Sequence, residues 1–171
     1  MIKGILPLLL LLGCANSLYA QRGRYVDPRI DRNGVPRWDD RGAFNKDVFT
    51  FVRIRYSSYY GGFRQKWATD YPDSDLNFSF RLQQLTSMEV DPDGKVMQLT
   101  DKELLDYPFI YLIEPGDLTF EDEEVTALRK YLLNGGFLMV DDFWGDAEWN
   151  NFELEIKRVF PKKDIVDLTI D

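Results

Sequence analysis

Three loops contain most of the side chains with which this sequence could perform chemistry. They are Ser57–Gly62, Glu114–Asp117 and Asp141–Gly145, and each follows a predicted strand. Their candidate binding residues are two tyrosines, three acids and a tryptophan: Tyr59, Tyr60, Glu114, Asp141, Asp142 and Trp144. Open parallel sheets bind ligands beyond the carboxyl ends of their strands. Because flat aromatic faces beside carboxylates suit sugars or peptides, the sequence predicts a binding crevice here.

The three acids also allow a metal-dependent chemistry. Glu114, Asp141 and Asp142 offer the oxygen ligands that Mg²⁺ or Ca²⁺ prefers, which would suit a carboxylate-metal-dependent hydrolase acting on an envelope component. No spacing in the chain matches a defined metal loop. The simplest alternative is that the acids cap a helix or face water, while the aromatic rings only pack the loops onto the sheet. Our leading hypothesis is a non-catalytic binding or scaffold module without a cofactor.

The residue types that the chain lacks restrict its chemistry. It has no histidine, and Cys14 is its single cysteine. Within these 171 residues this excludes Cys-His and Ser-His nucleophile pairs, a histidine general base, and zinc sites built from His or Cys. No dinucleotide or P-loop glycine spacing is present. A formal net charge of -8 argues against nucleic acid, so we expect an envelope protein or a small ligand as the partner.

Residues 1–20 have the features of a secretory signal peptide. The apolar run Ile5–Leu12 is too short to span a bilayer as a mature helix. Cleavage after Ala20 would make Gln21 the first residue of a periplasmic or secreted protein, and we favour this outcome. The alternative is a lipobox ending at Cys14, where lipid would anchor the protein to a membrane.

The hydrophobic pattern predicts one α/β domain over residues 48–171, after a linker rich in Arg, Asp and Pro over residues 21–47. Strands are predicted at residues 49–56, 109–113, 137–141 and 165–168, with a hairpin formed by residues 88–90 and 96–99. Helices are predicted at residues 73–86, 100–106, 121–134 and 151–160. Strands that alternate with helices indicate a mainly parallel sheet covered on both faces.

The runs Phe109–Ile113 and Phe137–Asp141 support the most specific structural prediction. Both are apolar throughout, as is typical of parallel strands buried on both faces, and a right-handed crossover places them side by side. In the predicted strand at residues 49–56, side chains point alternately to the two faces of the sheet. This alternation predicts that Arg53 and Arg55 share one face, which is partly exposed. Because the chain stops at Asp171 directly after a predicted strand, we expect a domain truncated at its C-terminus.

Three stretches carry Tyr-Pro and Gly-Gly motifs in order, namely Trp67–Val90, Leu104–Leu112 and Leu128–Gly145, and the stretch Phe152–Pro161 follows them. Together they resemble a bacterial family known as domain of unknown function 4159. The resemblance covers residues 49–171 and implies a three-layer α/β/α, flavodoxin-like fold similar to the class I glutamine amidotransferase superfamily, with no established activity. Amidotransferases of that superfamily place a cysteine after a central strand, where this sequence has Asp141-Asp142-Phe143. The resemblance also implies a continuation beyond Asp171 into a His-Pro segment.

Overall fold

The structure is a computed structural model that describes residues 27–28, 30–39, 47–59 and 66–168. The predicted signal peptide, Cys14 and Tyr60 lie outside these residues. The described part of the predicted linker contacts the domain, since the indole N–H of Trp38 donates to the carbonyl oxygen of Val90 at 2.9 Å. None of the helices within the described ranges is long and apolar enough to cross a membrane.

Four parallel strands form the main sheet, in the order β3-β1-β4-β6. They are β1 (Val52–Ile54), β3 (Lys95–Met97), β4 (Phe109–Ile113) and β6 (Phe137–Asp141). Two short strands, β2 (Ser57–Ser58) and β5 (Leu118–Thr119), pair antiparallel. The helices are α1 (Asp73–Leu85), α2 (Asp122–Leu133) and α3 (Asp146–Val159), with 3₁₀ turns at Lys66–Ala68, Lys102–Asp106 and Pro115–Asp117. This confirms the predicted α/β class and its mainly parallel sheet.

The helices cover both faces of the sheet and give it three layers. On one face, Ile110 of β4 belongs to the same buried cluster as Leu128 of α2 and Phe152 of α3. Side chains alternate between the faces of a strand, so Phe51 lies on the opposite face. There it meets Phe78 of α1, with 5.1 Å between the ring centroids. The arrangement is consistent with the predicted flavodoxin-like α/β/α fold.

The strands β4 and β6 are adjacent and parallel, as predicted, in register from Phe109 opposite Phe137 to Ile113 opposite Asp141. The prediction that both are buried is wrong for β6, because Phe137 is 60% exposed and burial alternates along the strand. An apolar run predicts burial only where another layer covers the strand. Among the described strands β6 has a neighbour on one side only, and Phe137 and Met139 on one of its faces are exposed.

The predicted hairpin at residues 88–99 is also wrong. The strand β3 runs parallel to β1, and Val90 forms a parallel bridge with Phe49 just before β1. Both halves of the segment therefore lie along one edge of the same neighbour, and residues 91–94 bulge between them. Gly94 has a φ of +65°, and a Cβ there would lie 2.9 Å from the carbonyl oxygen of Phe51, so the bulge requires glycine.

The C-terminal part differs from the prediction at both ends. The helix α3 begins at Asp146, five residues earlier than predicted, and the acids Asp146 and Glu148 in its first turn suit the positive end of the helix dipole. The predicted core strand at residues 165–168 is wrong, because this segment is exposed and has no strand conformation. A β-branched sequence forms a strand only beside a neighbour, and no described strand pairs with this segment.

The prediction that Arg53 is partly exposed is wrong, whereas Arg55 is exposed as expected. Arg53 is 0% exposed, and an acceptor is available to each of its five N–H donors. The acceptors are both carboxylate oxygens of Asp75, the carbonyl oxygens of Trp67 and Thr69, and the hydroxyl of Ser74. The guanidinium also lies 5.1 Å from the ring centroid of Tyr111. This network ties β1 to the start of α1.

Candidate functional site

The carboxyl ends of β4 and β6 bring the predicted acids to one edge of the sheet. Glu114 follows β4 directly, Asp141 ends β6, and the Glu114 N–H donates to the carbonyl oxygen of Asp141 at 2.9 Å. Glu114 has a φ of 47° and Asp142 a φ of 65°. Left-handed backbone is uncommon for residues other than glycine and often marks functional positions. Glu114, Asp141 and Asp142 therefore lie at the same edge of the sheet.

A buried tyrosine holds the turn after β4. The hydroxyl of Tyr56 lies 2.9 Å from the carbonyl oxygen of Ile113 and 2.6 Å from that of Glu114. Burial, followed by the negative charges of Asp117 and Glu114, raises the pKa of Tyr56 well above its usual range. The phenol therefore stays protonated at neutral pH and remains available as a donor to the strained turn.

A second group of charged side chains lies beside this turn, and sequence reasoning missed two of its members. The Nζ of Lys66 lies 3.0 Å from Oε1 of Glu148 and 3.8 Å from Oδ1 of Asp117. Asp117 lies in a predicted loop, but Lys66 and Glu148 are distant in sequence and follow no motif. Glu148 also accepts the backbone N–H of Trp144 at 2.9 Å, which fixes the loop after β6.

The environment of Lys66 keeps it cationic. Burial alone would lower the pKa of Lys66, but the hydrogen bond to Glu148 and the charge of Asp117 outweigh it and raise that pKa. An amine with a raised pKa is a poor nucleophile and a poor general base at neutral pH. Lys66 therefore serves as a fixed positive charge at this edge.

Asp117 is buried without hydrogen-bond donors for its side chain. It is 5% exposed, and neither carboxylate oxygen accepts a hydrogen bond from the residues that the structure describes. Its backbone carbonyl oxygen accepts the N–H of Tyr59 at 3.1 Å, so Tyr59 is attached to the same corner. A buried carboxylate normally has donors around it, which makes Asp117 the most unusual acid of the site.

Two of the predicted aromatic residues present their rings to solvent. Trp144 is 71% exposed and Tyr59 is 64% exposed, so neither packs its loop onto the sheet. Three other aromatic side chains near this edge pack inward, since Trp67, Tyr71 and Trp149 belong to or contact the main core cluster. Tyr59 and Trp144 therefore stay candidates for ligand contact, whereas Tyr60 lies outside the described residues.

The acids of the site do not form a metal-binding group. Across the described ranges, no set of three or more His, Cys, Asp or Glu side chains is placed so that it could hold a metal ion. A hard cation such as Ca²⁺ needs six to eight converging oxygen ligands. Among the predicted ligands, Asp141 accepts the N–H of Asp142 at 2.9 Å. Among the described residues, the acids of this edge therefore do not surround a common point as the ligands of a Ca²⁺ cage do.

The fold and this edge define a flavodoxin-like α/β/α domain with a cluster of acidic side chains at the carboxyl ends of its parallel strands. The chain belongs to the family described as Domain of unknown function (DUF4159), whose model matches residues 50–171. The match confirms the family resemblance carried by the Tyr-Pro and Gly-Gly motifs. A comparison with curated proteins gives no match.

Proposed function

We propose that this protein is a non-catalytic binding module of the bacterial cell envelope, which holds a small ligand or a partner segment at the carboxyl edge of its sheet. The observation that carries the proposal is the pair of left-handed acids, Glu114 and Asp142, beside the exposed ring of Trp144. Such backbone costs about 1–3 kcal/mol per residue. A ligand site would explain why the fold retains two such residues on neighbouring strands.

The chemistry of the edge favours binding over catalysis. Two groups that could transfer a proton at this edge, Tyr56 and Lys66, have raised pKa values and keep their protons at neutral pH. We also propose a distant relation to the class I glutamine amidotransferase superfamily. Asp142, with its positive φ between β6 and α3, resembles the strained strand-to-helix turn that carries a nucleophile in other α/β enzymes. With aspartate at this place, the turn is suited to ligand contact.

A carboxylate-metal-dependent hydrolase is the second candidate. Burial raises the pKa of Glu114, and the negative charge of Asp142 raises it further, so a cation near both would be favourable. Titration calorimetry with Mg²⁺, Ca²⁺ and Mn²⁺ separates the two candidates. Saturable heat that disappears in Asp142→Asn would favour the hydrolase, and the absence of heat for all three ions would remove it.

Trp144→Ala and Asp142→Asn should each weaken ligand binding about tenfold or more, a loss of about 1.4 kcal/mol. Asparagine tolerates left-handed backbone, so Asp142→Asn should keep the turn. A panel of sugars, short peptides, amino acids and polyamines, screened by thermal shift and followed by calorimetry, gives the measurement. The control is Asp106→Asn, the same substitution in an exposed residue at the opposite edge of the sheet. Variants that bind every wild-type ligand normally would reduce this loop to a structural role.

We further propose that the protein is exported and that its mature form begins at Gln21. Intact mass spectrometry of protein recovered from the periplasm of a Gram-negative host should show this N-terminus without lipid. Cys14→Ser should leave the mature mass unchanged, because Cys14 would be removed with residues 1–20. A diacylglyceryl adduct on Cys14 would establish the lipoprotein instead.

A further inference from the structure

We propose that the outer edge of β6, the side that faces away from β4, binds an extended segment of a partner protein. The segment adds a further strand to the main sheet and places a basic residue beside Asp142. This inference rests on the proposed binding function and specifies the partner as an apolar, β-branched strand with a basic end. The backbone groups, the exposed side chains and the flanking charges of β6 each support this class of partner.

The outer edge of β6 presents backbone groups that pair with none of the described strands. The N–H of Phe137 donates to the carbonyl oxygen of Pro108, the residue before β4, at 2.8 Å. In a parallel strand, residues that bond to one neighbour alternate with residues whose backbone groups point to the other side. Leu138 and Val140 therefore direct their N–H and C=O groups away from β4, where none of the described strands lies. A row of such donors and acceptors is matched by another extended chain.

The two edges of the main sheet differ in their protection against further pairing. The strand β3, at the other edge, has three residues, begins at Lys95 and follows the bulge at residues 91–94. Short length, lysine and bulges are devices with which proteins blunt an open edge. The strand β6 has five residues in uninterrupted register with β4 and contains neither lysine nor proline. Its edge is therefore open to the addition of a strand, whereas that of β3 is protected.

The exposed side chains of β6 favour an apolar partner. Phe137 stacks on Phe109 of β4, and Phe109 stacks on Phe78 of α1, with 5.9 Å between the ring centroids in both pairs. This row of rings ends at Phe137, which is largely exposed, and Met139 on the same face is 38% exposed. A strand beside β6 would bring its own side chains against both residues and continue the row. Because β-branched and aromatic residues pack well on a pleated surface, we expect them in the partner.

The charges that follow β6 favour a basic end on the partner. Asp142 and Asp146 lie directly after the strand, and neither forms an ion pair with a described residue. Lys66 cannot serve both acids, since it already lies beside Glu148 and Asp117. A lysine or arginine at this end of the partner would meet a negative potential that the described residues leave uncompensated.

A second copy of this chain fits the edge less well than such a partner. If the free groups of two β6 strands all paired around a two-fold axis, Leu138 of one copy would face Val140 of the other. The carboxylate of Asp141 would then lie opposite the exposed ring of Phe137. Two chains with a formal net charge of -8 would also repel each other. A strand with apolar side chains and a basic end avoids both conflicts.

The test uses two synthetic peptides that carry lysine at opposite ends. They are acetyl-Thr-Val-Thr-Val-Thr-Val-Lys-amide and acetyl-Lys-Val-Thr-Val-Thr-Val-Thr-amide, each titrated into the full chain by calorimetry. We expect binding, and the stronger peptide gives the direction of the added strand. N-methyl groups on the central valine and on the threonine beside it block both edges of the peptide, so they should weaken binding about tenfold or more. Glutamate in place of the lysine should also weaken it.

A proline in β6 tests the backbone of the edge. Val140→Pro removes an outward N–H and should abolish peptide binding, while edge positions tolerate proline within a sheet. The matched control is Val96→Pro in β3. The residues on either side of Val96 bond to β1, so its N–H also points outward, but at the opposite edge. This variant should bind the peptide as the wild type does.

A lysine on the exposed face tests the side-chain contacts without changing the backbone. Met139→Lys places a charge on the surface that the partner would cover, and it should weaken peptide binding about tenfold. Met88→Lys is the control, because Met88 is 46% exposed and precedes the bridge of Val90 on the far side of the sheet. It should leave binding unchanged. Thermal melting of all four variants shows whether each one is folded.

Amide hydrogen exchange identifies the occupied edge directly. The amides of Leu138 and Val140 should exchange quickly in the free chain and slowly with the peptide. Slow exchange in the free chain would mean that the chain covers its own edge, and a dimer lost in Val140→Pro would mean that a second copy covers it. Either result, or failure of both lysine peptides to bind, would overturn the inference. A small ligand bound through Trp144 would then leave the proposed function intact, whereas a chain that binds nothing would refute both.

Discussion

Replacing Arg53 by methionine should lower the free energy of unfolding by about 3–5 kcal/mol. The substitution leaves Asp75 as a buried carboxylate without its cation, and the carbonyl oxygens of Trp67 and Thr69 lose their donor. Removing one partner of a buried ion pair is among the most destabilising single changes. Urea denaturation followed by circular dichroism would show the loss as a lower midpoint at an unchanged slope.

The same strand provides a matched control for this experiment. Arg55 is exposed, so Arg55→Met should change the free energy of unfolding by about 0.5 kcal/mol or less. The double variant Arg53→Met/Asp75→Leu should recover much of the loss, because apolar residues can replace a buried ion pair at little cost. An Arg53→Met protein as stable as the wild type would contradict the buried network.

Leu128→Ala should lower the free energy of unfolding by about 2–5 kcal/mol. Leu128 is fully buried in the cluster that joins α2 to β4 and α3, and truncation leaves a cavity as well as losing apolar contact. Chemical denaturation gives the value, as for Arg53. A small loss would mean that α2 packs on the sheet through another face.

The control for Leu128 lies on the same helix. Leu133 is 71% exposed at the end of α2, so Leu133→Ala should cost about 0.5 kcal/mol or less. Because both substitutions remove the same atoms from a leucine in one helix, helix propensity cancels between them. The difference between the two therefore measures packing alone.

Sequence reasoning succeeded where a segment's own residues decide its structure. The helix α2 was predicted at residues 121–134 and found at Asp122–Leu133, because Val125 and Leu128 recur at helical spacing. The pairing of β4 with β6 followed from the helix between them and from the right-handed crossover. Neither inference needed knowledge of the rest of the chain.

The wrong predictions concern features that depend on distant neighbours. The exposure of β6 depends on which layers and strands lie beside it, and among the described strands it has one neighbour; its apolar sequence does not encode this. The two halves of the segment at residues 88–99 pair with β1 and its preceding residue Phe49 rather than with each other. The turn sequence at residues 91–94 was therefore not sufficient to predict a hairpin. Arg53 can be buried because it forms an ion pair with Asp75, and the sequence of β1 alone does not predict this partner.

The candidate site also contains some residues that the sequence predicts and others that only tertiary packing brings to it. Glu114, Asp141 and Asp142 were predicted to meet, because the carboxyl ends of neighbouring parallel strands share an edge. Lys66 and Glu148 complete the site through packing of the first 3₁₀ turn against α3, which strand order does not reveal. The buried state of Asp117 is likewise a tertiary property, since its sequence context is an ordinary Gly-Asp turn.

The wholly parallel main sheet also has a consequence for how the chain reaches its native state. Even its most local pairing, Phe109 with Phe137, encloses a complete helix. The two pairings of β1, with β3 and with β4, join residues that are still farther apart in the sequence. The entropy of closing such loops must be overcome before any ladder bond forms, so parallel sheets assemble slowly. During synthesis β1 and α1 precede β4, but the face of β4 that packs against α2 and the edge that pairs with β6 stay uncovered until those elements have followed. In the nascent chain, that face and edge of β4 are therefore open to aggregation for as long as it takes to make about one helix and one strand.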